Sequence, residues 1–141
     1  MRIKKINMDE EGLNRFFGSL EAKIMDIIWA KGRVTIKEVH EMIDDENPIS
    51  KNAVMTVMTR LVEKEYLIRE STGKGRAKVS HFYAPQTKEQ FITEQTRAVT
   101  DSLFADFGTF LVKNLIDNLD SADPDLIKQL ELKLKEMRRD E

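Results

Sequence analysis

The stretch Ser50–Ala84 constrains this chain most, because a helix with two unlike faces is followed at once by two strand-like runs around a glycine-punctuated basic tip. Ser50 is the expected N-cap of that helix, and its periodicity continues to about Lys64, roughly 22 Å at 1.5 Å per residue. Ala53, Val54, Val57, Met58, Leu61 and Val62 fall on one face at helical spacing. The opposite face carries Asn52, Met55, Thr56, Thr59, Arg60 and Glu63. A merely solvated face would be richer in Lys and Glu; small hydrogen-bonding side chains with one Arg are suited to touching something. Tyr66–Glu70 and Lys78–Ala84 then read as strands from their β-branched and aromatic content, with Ser71-Thr72-Gly73-Lys74-Gly75-Arg76-Ala77 as the cationic tip of a hairpin.

Two helices precede this unit. The first is expected from about Ser19 to Lys31, with Leu20, Ile24, Ile27 and Ile28 as an apolar stripe that Met25 and Trp29 widen, and Gly32 stops it. Thr35-Ile36-Lys37-Glu38 is a capping box that starts a short second helix with Ile36, Val39 and Ile43 inward. The acidic run Asp44-Asp45-Glu46-Asn47-Pro48 ends it, without the ligand spacing or turn glycine of a calcium loop. His40 is expected to be a partly buried packing residue, Trp29 a core residue and His81 a surface residue. Three helices followed by a basic-tipped hairpin describe a mainly α (α+β) winged helix-turn-helix. An α-helix fits the major groove of DNA, and a glycine-rich tip lets Lys74 and Arg76 approach phosphates or the minor groove. A nucleotide-binding loop is not expected from Gly73-Lys74-Gly75-Arg76, because a strand follows it where that chemistry needs a helix.

Composition narrows the chemistry. The 141 residues are 40% apolar and 34% charged, too apolar for a disordered tail, and no run of about 18 apolar residues offers a membrane span. Cysteine is absent and only His40 and His81 are histidines, so disulfides, thiolate nucleophiles and Cys-ligated metals are excluded and no cofactor or enzymatic activity is expected. The opening residues lack an apolar signal core, which predicts a soluble cytoplasmic protein. A net charge of −2 conceals an asymmetry: Lys51, Arg60, Lys64, Arg69, Lys74, Arg76 and Lys78 face only Glu63, Glu65 and Glu70 within Ser50–Ala84. A local basic field inside an acidic protein can meet a polyanion.

Pro85 marks the expected boundary between a DNA-binding domain over 18–85 and a helical domain over 86–141. A helix is expected from about Lys88 to Phe107 with Phe91, Ile92, Ala98, Val99, Leu103, Phe104 and Phe107. Gly108 interrupts it, and Phe110, Leu111, Leu115, Ile116 and Leu119 continue the apolar pattern. Asp123-Pro124 reads as an N-cap followed by proline at the first helical position of a last helix reaching about Arg139. So many aromatics and leucines need cover, and a second copy of the chain is the economical source: a homodimer that places two reading domains on a two-fold axis. The N-terminal extension over 1–17 contains Arg2, Lys4, Lys5, Phe16 and Phe17. Packing is expected of the two phenylalanines and disorder of the first ten residues.

Several segments together resemble one family. Leu20-Glu21-Ala22-Lys23-Ile24-Met25-Asp26-Ile27-Ile28-Trp29-Ala30-Lys31-Gly32 is similar to its opening helix, and Ser50–Leu61 continuing through Val62-Glu63-Lys64 to its recognition helix. Gly75-Arg76 followed by Phe82-Tyr83 resembles its wing, and Leu126–Leu134 its dimerisation tail. From about Gly18 onward the chain thus resembles the penicillinase-repressor family of BlaI, MecI and CopY type. The resemblance implies a homodimeric repressor on a palindromic operator, in one branch governing β-lactam resistance genes. In that branch repression is relieved when a membrane sensor-transducer with a metalloprotease domain triggers cleavage between Asn and Phe in the dimerisation region. The matching positions are Asn114 and Leu115, with leucine in place of phenylalanine. The cysteine pairs of the copper-responsive branch are missing, and Ile49-Ser50-Lys51-Asn52-Ala53 departs from the family's usual Trp-Ser-Pro-Lys-Thr.

The residues expected at double-stranded operator DNA are therefore Ser50, Asn52, Thr56, Thr59 and Arg60 toward the groove, Met55 toward a thymine methyl, and Lys51, Lys74 and Arg76 on phosphates. The competing expectation is a winged-helix protein-interaction module without sequence-specific DNA binding.

Overall fold

The computed structural model describes residues 6–140; Arg2, Lys4 and Lys5 lie outside them. Local signals set most of the helix limits. Helix α1 (Ser19–Lys31) ends at Gly32, whose φ of 89° is a backbone state that glycine adopts without a Cβ clash. A two-residue strand β1 (Arg33–Val34) follows, and Thr35 then caps α2 (Ile36–Asp44) by accepting the Glu38 amide at 3.2 Å. Glu38 reaches back to Thr35 as expected of a capping box, its Oε1 accepting the Thr35 hydroxyl at 3.1 Å. Helix α3 (Lys51–Glu63) starts at the Ser50 cap, whose Oγ accepts the Ala53 amide.

The strand following α3 starts later than its sequence suggests. Glu65 takes a positive φ of 68°, and the amides of Tyr66 and Leu67 both donate to the Leu61 carbonyl. This helix-terminating turn drives both side chains into the core, and strand β2 spans Ile68–Thr72. Strand β3 (Val79–Tyr83) pairs antiparallel with β2, placing Glu70 opposite His81, and with β1, placing Val34 opposite Phe82. The sheet order is β1-β3-β2. Three helices and this hairpin-bearing sheet are a winged helix-turn-helix.

Two compact units are present, Met1–Ala98 and Val99–Glu141. The core of the first gathers Ile24, Met25 and Ile28 of α1, Val39 and Ile43 of α2, Val54, Met58 and Leu61 of α3, and Phe82 of β3. Burying each such side chain contributes about 1.5–3 kcal/mol. The expected inward faces of all three helices are the observed ones.

Helix α4 (Lys88–Asp117) begins with a full reciprocal cap: Thr87 Oγ1 accepts the Gln90 amide and Gln90 Oε1 accepts the Thr87 amide. Its residues 88–98 belong to the first unit, where Phe91 is buried at the centre of an aromatic group. Phe17 stacks on it with ring centroids 5.1 Å apart, while Tyr66 and Trp29 each lie 5.5 Å away. Phe16 meets it edge-on at 6.1 Å, so the expected packing of the Phe16-Phe17 pair is what the chain does. Residues 7–10 are more tied than expected, since the Asn7 amide donates to the Arg15 carbonyl and the Asn7 side chain accepts from Asp9. The Trp29 indole donates to the Gln86 carbonyl at 3.1 Å.

In the second unit α4 loses helical geometry at Phe107, beside the glycine expected to interrupt it. Helix α5 (Pro124–Arg139) is capped by Asp123, which accepts the Asp125 amide, with Pro124 at the start as anticipated. Leu103, Phe104, Phe107, Phe110, Leu115 and Ile116 are among many apolar side chains exposed in this unit. No helix among the described residues is long and apolar enough to cross a membrane.

Candidate nucleic-acid interface

Helix α3 turns two chemically distinct faces in opposite directions. Val54, Met58 and Leu61 are fully buried, whereas Lys51, Asn52, Met55, Thr56 and Arg60 are exposed and Thr59 is half-buried. The 3.6-residue period puts Asn52, Met55, Thr56 and Thr59 on neighbouring turns of one surface. Their side chains are not equally free. The Thr56 hydroxyl donates to the Asn52 carbonyl one turn back at 2.9 Å, which leaves its oxygen lone pairs and methyl outward. One lone pair of the Ser50 oxygen is taken by its capping bond, which leaves its hydrogen and a second lone pair to offer.

The wing tip contains a short 3-10 turn, Gly75–Ala77. The tip depends on Gly73, whose φ is 82° and where an added Cβ would lie 2.4 Å from the Ala77 carbonyl oxygen. Gly75 is also at positive φ but faces open space. Lys74, Arg76 and Lys78 are exposed and, among the described residues, make no ion pair; the same is true of Lys51 and Arg60. Two other cations of the basic stretch are committed elsewhere. Lys64 bonds Glu21 at 3.2 Å, and the Arg69 guanidinium lies 5.0 Å from the Phe82 ring centroid. Apart from these two, the basic stretch offers five exposed cations on α3 and around the tip.

A cross-strand clasp braces the base of the wing. Arg33 donates to Glu70 Oε2 at 2.6 Å and the Tyr83 hydroxyl to Glu70 Oε1 at 3.0 Å. Hydrogen bonds from Arg33 and Tyr83, then the Arg33 charge, hold the Glu70 carboxyl below the usual carboxylate range. The same bond from Tyr83 to Glu70 raises the phenol. Nearer the tip the Ser71 and Ser80 hydroxyls are 2.8 Å apart. Neither pair is legible in the sequence. Their signal is the facing of polar residues across a register that is known only once the strands are paired. Among the described residues no group of three or more His, Asp or Glu side chains is arranged to hold a metal ion.

The model of the penicillinase repressor family matches residues 17–136. The chain belongs to the penicillinase repressor family. The match runs through both compact units of this family member and takes in α3, the wing and most of α5. A transcriptional regulator BlaI of Mycobacterium tuberculosis, found in two strains, is 30% identical over 69 residues, which cover 48% of this chain and 46% of the relative. The chain is thus aligned with about half the length of the curated relatives it matches. Among solved structures, wild-type MarR from E. coli is 19% identical with a TM-score of 0.41, covering 86% of this chain and 78% of that one. BpsR of Bordetella bronchiseptica is 15% identical with a TM-score of 0.40, covering 86% and 80%.

Proposed function

We propose that this family member is a DNA-binding transcriptional repressor that occupies a palindromic operator as a homodimer. The observation that carries the reading is the exposed face of α3, with Asn52, Met55, Thr56 and Arg60 on one surface and its apolar residues buried behind. A helix of this kind enters the major groove and reads base edges, while Lys51, Lys74 and Arg76 neutralise phosphates. Exposure of Leu103, Phe104, Phe107, Phe110, Leu115 and Ile116 supports a second copy as the cover for the second unit. Binding by such a dimer excludes polymerase sterically.

The deciding experiment is a fluorescence-anisotropy titration with duplex DNA from upstream of the chain's own gene, beside a scrambled duplex, at about 0.15 M salt where screening acts over about 8 Å. A preference of about 10³-fold for the native duplex is expected. Weak and equal binding of both duplexes would favour the protein-interaction module instead.

Within this reading the repressed genes are of the β-lactam resistance type, and repression ends when a membrane sensor-transducer with a metalloprotease domain triggers cutting of the Asn114–Leu115 bond. Both residues are exposed on α4. The Asn114 carbonyl accepts the Asn118 amide at 3.2 Å and the Asn118 side-chain amide at 2.7 Å, so the helix must open locally before the bond can be cut. Incubation with the activated sensor and mapping of fragments by mass tests this; an intact Asn114–Leu115 bond would end it.

A further inference from the structure

The turn between α2 and α3 decides where the outward face of α3 points, and its last residue is held from both ends. The Ile49 amide donates to Asp44 Oδ1 at 2.9 Å, and the Ile49 carbonyl oxygen lies 2.7 Å from His40 Nε2. A carbonyl only accepts, so His40 Nε2 carries the hydrogen of this bond. His40 and Asp44 are one helical turn apart on α2, with His40 Nε2 4.0 Å from Asp44 Oδ1. The backbone bonds that close α2 stop at Asn47, whose amide, like that of Glu46, donates to the Ile43 carbonyl. Pro48 has no amide hydrogen. At Ile49 the backbone is therefore held by two side chains rather than by secondary structure. The next residue, Ser50, caps α3.

We propose that His40, together with Asp44, is a positioning residue for DNA readout: the pair clips the Ile49 peptide and so sets the start and rotation of the reading helix. The inference rests on the repressor reading above. An α-helix turns by about 100° per residue, so moving its cap by one position would swing Asn52 and Thr56 off the groove face. Phosphate attraction by Lys74 and Arg76 does not depend on that rotation, because these residues stand on the wing. Loss of the clip therefore separates the two components of binding: sequence discrimination, carried by α3, falls, and the salt-dependent affinity supplied by the wing stays. His40 touches no DNA in this role. It acts through Ile49 and Ser50.

The test uses the full chain and three variants, with a pool of random-sequence duplexes as the probe, so that no operator need be known beforehand. The wild type is expected to enrich one motif. His40→Leu, which keeps apolar packing and removes the donor, should lose about tenfold in discrimination for that motif while its affinity for unselected duplex stays within about twofold. His40→Gln, which restores an N–H donor, should recover the motif. Asp44→Ala alters an exposed side chain and tests the other half of the clip should His40→Leu fail to fold; it should lose discrimination likewise. Folded variants lacking either half of the clip that enrich the wild-type motif with undiminished discrimination would overturn the proposal alone. A wild type that enriches no motif would overturn the repressor reading and this role with it.

Discussion

Arg33 on β1 bonds Glu70 on β2 at 2.6 Å although β3 lies between their strands. The two side chains bridge over the middle strand, and the Tyr83 hydroxyl from that strand takes the remaining carboxylate oxygen. One carboxylate thereby ties together all three strands at the base of the wing, the part of the sheet that carries the basic tip.

The tie gives a pH dependence whose sign follows from the Glu70 carboxyl being held below its usual range by the bonds from Arg33 and Tyr83. The folded state favours the ionised form, so the contribution is fully present above the unfolded-state pKa and is lost as pH falls through the lowered folded-state value. Thermal unfolding of wild type and Glu70→Gln from pH 7 downward should show a gap in Tm that is widest at neutral pH and closes in acid. A gap that widens in acid would contradict the assignment. The clasp is exposed, so the effect will be small.

Gly73→Ala and Gly75→Ala should behave differently although both glycines have positive φ. At Gly73 the new Cβ meets the Ala77 carbonyl oxygen at 2.4 Å, and the tip has to rebuild; at Gly75 nothing lies within 4 Å. Gly75→Ala costs only the left-handed backbone strain, about 1–2 kcal/mol. Gly73→Ala should in addition weaken binding to any duplex, read by anisotropy, because Lys74 and Arg76 lose their placement.

Lys74→Ala and Asn52→Ala should separate the two kinds of DNA contact. Removing a phosphate contact reduces the slope of log affinity against log salt by about one and weakens all sequences alike. Removing a base contact costs about 1–3 kcal/mol and relaxes preference at one position. If Asn52→Ala weakens native and scrambled duplexes equally, the groove assignment of Asn52 is wrong.

Phe17→Ala should destabilise the first unit by about 3–5 kcal/mol, the usual cost of removing a buried aromatic ring. Its ring stacks on Phe91 and meets Tyr66 edge-on at 5.3 Å. Urea unfolding should show a lower midpoint with an unchanged slope, and Phe17→Leu should recover part of the loss.

What the sequence reveals here is what the chain decides locally. Thr35, Ser50 and Asp123 cap their helices where they stand, Gly32 terminates α1, and the period of α3 sorts its faces correctly. The Thr87–Gln90 cap is equally local and carries the same spacing as the Thr35–Glu38 box. Strand β1 is not legible, because two residues have no period and their partners are Phe82 and Tyr83, far along the chain. The late start of β2 is hidden too, since a glutamate at Glu65 gives no warning of a positive φ. At the interface, exposure followed from periodicity. The hold of His40 on Ile49 did not, because its acceptor is a main-chain carbonyl with no side-chain signature.

The position of Phe91 bears on how members of this family can be recombined. Its ring belongs to the helix that starts after Pro85, yet it fills the space among Phe17, Trp29 and Tyr66. A hybrid spliced at Pro85 brings a foreign residue into that space, and an ill-fitting one leaves a void or a clash beneath α1. A splice after Ala98 transfers the ring with the core it completes. The partners most constrained to change in step with one another are therefore Phe17, near the beginning of the chain, and Phe91, on a helix entered only after the whole wing has been made.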